Sequence, residues 1–530
     1  MDVLLFKKEL VCQKQANYVR SRIRIMMIKK YEIFNSKYVL CALIGILIFI
    51  SLYDLFSPPI TRTMWRQTQT AMLTDNYVNN HFAINGLYIN LQGKDKLMTV
   101  NEFPLYNFIV GIFFLLFNHN IFWGKFISLL ASIISLIYLF KISNKLFGSS
   151  VALLGAMFFI FSPVGMLMRT AFQPDALCLM FLLISVYCLL EWRKQKLMKY
   201  FVLFSINLSF ASLLKIPLIV PYLPVMILAL SYDQGKIRIP KLKEMIIFFI
   251  FVIVPLIAWY FYRLKITDFA QRADDAKFLI GDLSRFVHLD YYIKPFFTII
   301  SFLWCGTGLL YFILGLRKST FLDVVLLSGI PFYFIIVPTV SDQYYYYYAL
   351  LPITALFMAR GFILFYGYCV SNRKQMVFYT FMSLFIFSFL LATGFVLRHD
   401  DVMMSVAKAV EKNSAPSEFI ISINIHDRGV AIGSNNTSLF YLANRKGWAI
   451  WGDYNNHEDM LKQIVYLKNK GAKWLAVTWY TSDLEPWFAP YTPKSLRRDP
   501  RINGRELYLF LEEKYKSVYL ERNYAVMKLQ

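Results

Sequence analysis

Acidic residues are scarce in this sequence: 33 Asp and Glu stand against 56 Lys and Arg, a net charge of +23. Such a surplus would suit nucleic acid in a soluble protein. Here 57% of the residues are hydrophobic and 18% aromatic, and in a membrane chain basic excess gathers first in cytoplasmic loops. Nucleic acid is therefore not an expected partner. Cysteine is scarce as well, with Cys12, Cys41, Cys178, Cys188, Cys305 and Cys369 and none beyond, so no disulfide framework is indicated. The terminal segment has neither a nucleotide-binding loop nor a metal-ligand set, its His, Asp and Glu being scattered. No internal repeat of the kind found in many transporters is visible.

What the sequence has is length without charge. Apolar runs repeatedly reach the roughly 20 residues that a helix needs to cross hydrocarbon. Candidate spans fall at about 38–56, 121–141, 150–168, 175–191, 199–214, 216–231, 244–262, 295–315, 321–339, 347–365 and 375–396. The run Phe103 to Phe117 decides the topology. If it crossed, "EWRKQKLMK" (191–199), "KIRIPKLK" (236–243), "LRKS" and "NRKQ" would all face outward, against the positive-inside rule. Read as an interfacial helix, it leaves these loops in the cytoplasm beside a basic tail, 1–37, that is too long and polar for a cleaved leader.

The expected architecture is therefore mostly α: a polytopic membrane protein of about eleven transmembrane helices over 38–396, with interfacial helices in a first outer loop, 57–120. Beyond 397, "EFIISINI" reads as a buried strand. "HEDMLKQIVYLKNKGAKWLAVTW" reads as an amphipathic helix ended by Gly471 and followed by a strand, and "RELYLFLEEKYKSVYL" as a helix entering a terminal hairpin. The segment 397–530 is expected to be an extracytoplasmic α/β domain. The "NNTS" at Asn435 would accept a glycan only in a eukaryotic secretory route.

This topology gathers the unexplained polar residues on the outer face. Arg62, Arg66 and Arg169 suit a lipid phosphate, because a guanidinium stays ionised and makes paired, charge-assisted bonds; near span ends, arginines also snorkel to headgroups. Trp65 and Gln67 share the stretch "ITRTMWRQTQTA" with two of them. Lys215, in "SLLKIPLIVPYLP", marks an outer apex at membrane depth, where an unpaired ammonium is costly. Transfer to a hydroxyl needs a base, and a carboxylate can serve. The candidates are Glu102, before the proline that opens the interfacial helix, and Asp75 and Asp175; Asp175 is near enough to Arg169 in sequence for a plain ion pair. Tyr344 and Tyr345 head a tyrosine run suited to an interfacial belt or to lining a sugar.

The chain resembles the GT-C superfamily of polyprenyl-phosphate-sugar-dependent glycosyltransferases, in particular the bacterial protein O-mannosyltransferases and the aminoarabinose transferase that modifies lipid A. The resemblance is carried by "MWRQTQTAML", "EFPLYNFIVGIFFLLF", the long "WGKFISLL…FIFSP" stretch, "RTAFQPDAL" and "DQYYYYYALLP", in that order, before a terminal outer domain. It implies that Arg66 matches the first-loop arginine, that Glu102 stands among the polar residues before the "PL" helix and that Asp175 is the acid of the second outer loop. One departure is Thr63, where many relatives carry an acid; the base then falls to Glu102, with Asp75 and Asp175 as alternatives. The function implied is transfer of a sugar from a polyprenyl-phosphate donor to a lipid, glycan or protein hydroxyl at a bacterial cytoplasmic membrane, with inversion. A divalent cation is optional. A transporter or lipid-linked glycan flippase, and a ligase using a pyrophosphate-linked donor, are the competing readings.

Overall fold

The computed structural model describes residues 36–61, 63–93, 95–98, 102–233, 236–266, 286–317, 320–337, 344–425, 436–450, 456–479 and 500–529. Arg62, Asn435, residues 1–35 of the tail and residues 267–285 of the third outer stretch lie outside these. Among the described residues, seven helices are long and apolar enough to cross a membrane, and Leu105–Leu116, Ser149–Ile160 and Phe321–Ile336 are shorter apolar helices.

The count falls below eleven because several apolar runs are interrupted. The run 150–168 is split into Ser149–Ile160 and Pro163–Met168. The run 295–315 is a helix Asp290–Phe302 and a short helix Gly308–Gly315, separated by Cys305 and Gly306 at φ 48° and 65°. Its first part does not descend through the bundle. Tyr291 Oη donates to Phe334 O at 2.5 Å and Ser162 Oγ donates to Phe302 O at 3.0 Å, which ties both ends of Asp290–Phe302 to neighbouring helix termini.

The expected spans 199–214 and 216–231 count as one helix, Met198–Ser231, and the break between them matters most. Within Met198–Ile219, Lys215 has φ −166° and ψ 90°. Pro217 explains it: the ring offers no N–H and crowds the preceding turn. The carbonyl that Pro217 leaves without its helical donor is that of Leu213, and the N–H of Phe103 donates to it at 3.0 Å. A kink in one helix thus fixes the residue beside Glu102. Past the kink the chain reverses through Leu223–Ser231, so that Ala229 O accepts from Arg193 Nη1 at 3.0 Å, at the far end of Asp175–Gln195. Lys215 is an apex, as its sequence context suggests.

Leu105–Leu116 has 12 residues, about 18 Å of helix, against a hydrocarbon core of about 30 Å. Both of its ends lie at one level. Phe103 is bonded to the Lys215 kink, and Phe117 stacks on Trp123 at 4.6 Å, in the first turn of Phe122–Phe147. The segment runs along the bundle and does not traverse it. Basic side chains gather at the opposite end, where Arg238 stacks on Trp192 at 4.8 Å and pairs with Glu244, and Lys145 pairs with Glu191.

The bundle closes through small residues. A Cβ on Gly361 would meet Tyr311 O at 1.6 Å, and one on Gly315 would meet Phe357 O at 2.0 Å, so these helices touch backbone to backbone.

The terminal domain is built on a sheet with strands β1 (Tyr88–Gln92), β2 (Asp95–Met98), β3 (Phe419–Ile425), β4 (Lys446–Ala449), β5 (Ala472–Trp479), β6 (Lys516–Glu521) and β7 (Tyr524–Lys528). Their spatial order is β2-β1-β4-β3-β5-β7-β6. β3 is parallel to β4 and β5, with Ile421 opposite Trp448 and Leu475; the outer pairings are antiparallel. Alternation buries Ile421, Ile423, Leu475 and Val477 on one face and Ile420 and Ala476 on the other. The helices His457–Asn469 and Pro500–Glu512 cover the first face and Asp401–Asn413 the second. The hairpin β1–β2 comes from the first loop, where only helices are expected from the sequence, and joins the sheet at Gln92 opposite Trp448. Asp400 N donating to Ile60 O at 2.8 Å and a Thr68–Thr437 hydroxyl contact at 2.9 Å tie the sheet domain to the loop helix Met64–Asn79.

Candidate functional site

Four separate elements deliver charge to one point at the domain end of the bundle. Met64–Asn79 supplies Arg66, the turn before Leu105–Leu116 supplies Glu102, the first residue of Asp175–Gln195 is Asp175, and the kink supplies Lys215. Arg66 Nη2 donates to both oxygens of Glu102, and its Nη1 donates to Gln69 Oε1 at 2.7 Å. Lys215 Nζ donates to Asp175 Oδ1 at 2.9 Å and Oδ2 at 3.1 Å, and lies 4.0 Å from Glu102 Oε1. The ring centroids of Tyr345 and Tyr346 are 4.4 and 5.1 Å from the same ammonium, within cation–π range.

Burial separates the two acids. The Asp175 side chain is 0% exposed and that of Glu102 is 23% exposed. Burial works against the charge of Arg66, but Glu102, Tyr345 and Asp175 outweigh it, so the guanidinium pKa is raised above its ordinary value. The arrangement has the elements a phosphate-linked donor needs: two convergent cations, and a carboxylate within reach of solvent.

Not every expected site residue belongs here. Asp175 pairs with Lys215, not with Arg169. Arg169 instead sends Nη2 to Ile50 O at 2.8 Å, a carbonyl of the first span. Beside it, Lys125 Nζ donates to Asp54 O at 2.6 Å and lies 3.5 Å from Asp54 Oδ1, and Thr170 donates to Asp54 Oδ2. Asp75 is nine residues beyond Arg66, about two and a half helical turns and so the opposite face. It pairs with His119 at 2.7 Å. Its pKa is raised by burial in spite of the His119 bond, and that bond raises the pKa of His119.

Gln67 is a strap: its Oε1 accepts from Phe172 N at 3.0 Å and its Nε2 donates to Thr61 Oγ1 at 2.9 Å and Thr63 Oγ1 at 3.2 Å. It holds the Arg169–Asp175 loop against the loop helix, and Phe172 fills a space that only Gly124 leaves open, since a Cβ there would meet its ring at 2.2 Å. Trp65 packs half-buried into the helical core. Tyr344 opens the 3₁₀ turn Tyr344–Leu350 that carries Tyr345 and Tyr346.

Sequence reasoning missed Arg263, on which the Glu102 charge acts, and passed over Asp54 and Lys125. Arg263 and Lys265 stand in the last turn of the helix Val254–Ile266, so the available signal was a cation closing an apolar run. Among the described residues, no three His, Cys, Asp or Glu side chains converge, and both acids of the cluster are held by cations. This donor set does not fit a metal ion.

Residues 101–259, which include Glu102, Asp175 and Lys215, match the model of the dolichyl-phosphate-mannose-protein mannosyltransferase family. The chain is similar in structure to ArnT from Cupriavidus metallidurans bound to undecaprenyl phosphate, with TM-score 0.58 and 9% identity, over 93% of this chain and 98% of that one. The chain has the GT-C fold. It is also similar to the oligosaccharyltransferase AglB from Archaeoglobus fulgidus in complex with an inhibitory peptide and a dolichol-phosphate, with TM-score 0.52 and 9% identity, over 84% of this chain and 70% of that one. No curated protein matches this chain by sequence.

Proposed function

We propose that this protein is a membrane glycosyltransferase that moves a sugar from a polyprenyl-phosphate donor to an acceptor hydroxyl, on the outer face of a bacterial cytoplasmic membrane. The sheet domain, 397–530, then stands outside and the tail, 1–37, in the cytoplasm. The observation that carries this reading is the convergence of Arg66, Glu102, Lys215 and Asp175 at one end of the bundle. The family match over 101–259 and the fold shared with an undecaprenyl-phosphate-bound transferase support it.

In this reading the donor's phosphate lies against Arg66 and Lys215, with Arg263 near. Glu102 takes the proton from the acceptor hydroxyl, whose oxygen forms a bond to the anomeric carbon from the face opposite the phosphate. The bond from that carbon to the phosphate oxygen breaks, and its electron pair leaves with polyprenyl phosphate. The anomeric centre inverts. The charge growing on the leaving phosphate meets guanidinium and ammonium groups already in position, the arrangement that lowers such barriers most. Asp175 is a positioning residue that fixes Lys215. The acceptor is a lipid, a glycan or a protein.

Purified protein given labelled polyprenyl-phosphate sugar and acceptor should release polyprenyl phosphate, and Arg66→Ala should abolish the release while leaving the protein folded in the membrane. A flippase would move the lipid and release none. Wild-type transfer by both Arg66→Ala and Glu102→Gln would exclude this site.

A further inference from the structure

Glu102 does more here than wait as a base. Its carboxylate lies between Arg66, which binds both its oxygens, and Lys215, 4.0 Å away. That is the place between two cations where a bridging phosphate would sit. Asp175, fully buried, takes Lys215 from the other side at 2.9 Å. The two acids differ in freedom: Asp175 is fully enclosed, whereas the Glu102 side chain is partly exposed and can turn about its own bonds while the backbone at Phe103 stays fixed.

We infer that Glu102 is a built-in competitor for lipid-borne phosphate: its carboxylate fills the anion position between Arg66 and Lys215 until the donor's phosphodiester displaces it, and only then can it take an acceptor proton. This deepens, and rests on, the reading of the site as a donor-phosphate site.

The charge balance supports it. Among the described residues, Arg66 and Lys215 meet Glu102 and Asp175, and the Glu102 charge also acts on Arg263; with Arg263 counted, the site carries a surplus of one positive charge. The donor's phosphodiester carries one negative charge and cancels it. After transfer, Glu102 holds the acceptor proton and the surplus is two, which meets the charge of about −2 on a phosphate monoester. The site stays near neutrality at each stage, as a low-dielectric setting favours. Donor binding then precedes acceptor activation, and the empty site offers acceptors no free base. Arg66 does not lose its pose when Glu102 leaves, because Nη1 remains bonded to Gln69.

The test is equilibrium binding of a fluorescent polyprenyl methyl phosphate, a diester of fixed charge, to the full-length protein in detergent. Arg66→Ala is expected to weaken binding, whereas Glu102→Gln and Glu102→Ala should each tighten it about tenfold by removing the competing anion. If Arg66→Ala weakens binding but both Glu102 variants bind no better than wild type, Glu102 serves to hold Arg66 in place and the inference fails alone. If Arg66→Ala binds as wild type does, the phosphate site itself fails, and the inference with it.

Discussion

Two buried charge clusters stand at the domain end of this bundle, and they are built differently. In one, Arg66, Glu102, Lys215 and Asp175 come from four elements, and one carboxylate keeps contact with solvent. In the other, Asp54, its side chain 12% exposed, is held by Lys125 and Thr170 near the arginine that caps Ile50, and the Lys125 side chain is 1% exposed. The second cluster joins the first span to Phe122–Phe147 and to the loop that carries Asp175. Its bonds go largely to backbone carbonyls, which is how a membrane protein fastens helix ends. The comparison teaches that convergence of charge does not by itself mark a site. Chemistry needs a group that can exchange partners, and only the first cluster has one.

Substitution of Lys215 should give the largest effect and test that contrast from the side of chemistry. Lys215→Met leaves Asp175 buried without its cation, which typically costs about 3–5 kcal/mol, and removes a phosphate ligand. The expected result is a much lower melting temperature in detergent and no detectable transfer. Adding Asp175→Asn should restore most of the melting temperature and none of the transfer. Recovery of transfer in the double variant would mean that Lys215 only offsets Asp175.

Lys125→Met should give an intermediate effect, from the side of the scaffold. It leaves Asp54 with only Thr170 and the more distant Arg169 charge, so thermal stability should drop by about 1–3 kcal/mol. Transfer per folded molecule should stay within about twofold of wild type, since Lys125 makes no bond to the first cluster. A variant that folds normally but transfers a hundredfold more slowly would move Lys125 into the reaction and dissolve the contrast.

The first cluster was more legible in the sequence than the second. Arg66 and Lys215 stand out because cations are costly and unusual where the topology sets them, and Glu102 and Asp175 because acids are few. Their partnership was not legible. It depends on Pro217 leaving the Leu213 carbonyl for Phe103 to bond, a link between residues over a hundred positions apart. Asp54 and Lys125 read from sequence as ordinary span-end residues. The apolar period predicts Leu105–Leu116 and, in the terminal domain, β3, His457–Asn469, β5, Pro500–Glu512 and the last hairpin, since burial of one face leaves a repeating pattern; Asp401–Asn413, Ser438–Leu442 and β4 were not read from it. It does not predict β1 and β2, because a short half-exposed hairpin at a sheet edge, "YINLQGKDKLM", carries only weak alternation. The break at Cys305–Gly306 was likewise hidden by an apolar run that looks continuous, whereas the apex at Lys215 was legible from its place between two runs.

The smallest effect belongs to a third pair, which lies partly in water and sets a lower bound for the two clusters. The bond from Asp75 holds the pKa of His119 above its ordinary 6.5. A group whose pKa is higher in the folded state stabilises that state fully below its unfolded value, and the contribution is lost as pH rises through the folded value. The pair should therefore help most at and below about pH 6 and vanish at alkaline pH. With His119 57% exposed, solvent screening keeps the contribution under about 1 kcal/mol. His119→Asn should accordingly lower the melting temperature slightly at pH 6, leave it unchanged at pH 9, and alter transfer at neither. A loss of transfer at pH 6 that tracks this residue would bring Asp75 back among the candidate bases, and the first cluster would no longer hold all of the chemistry.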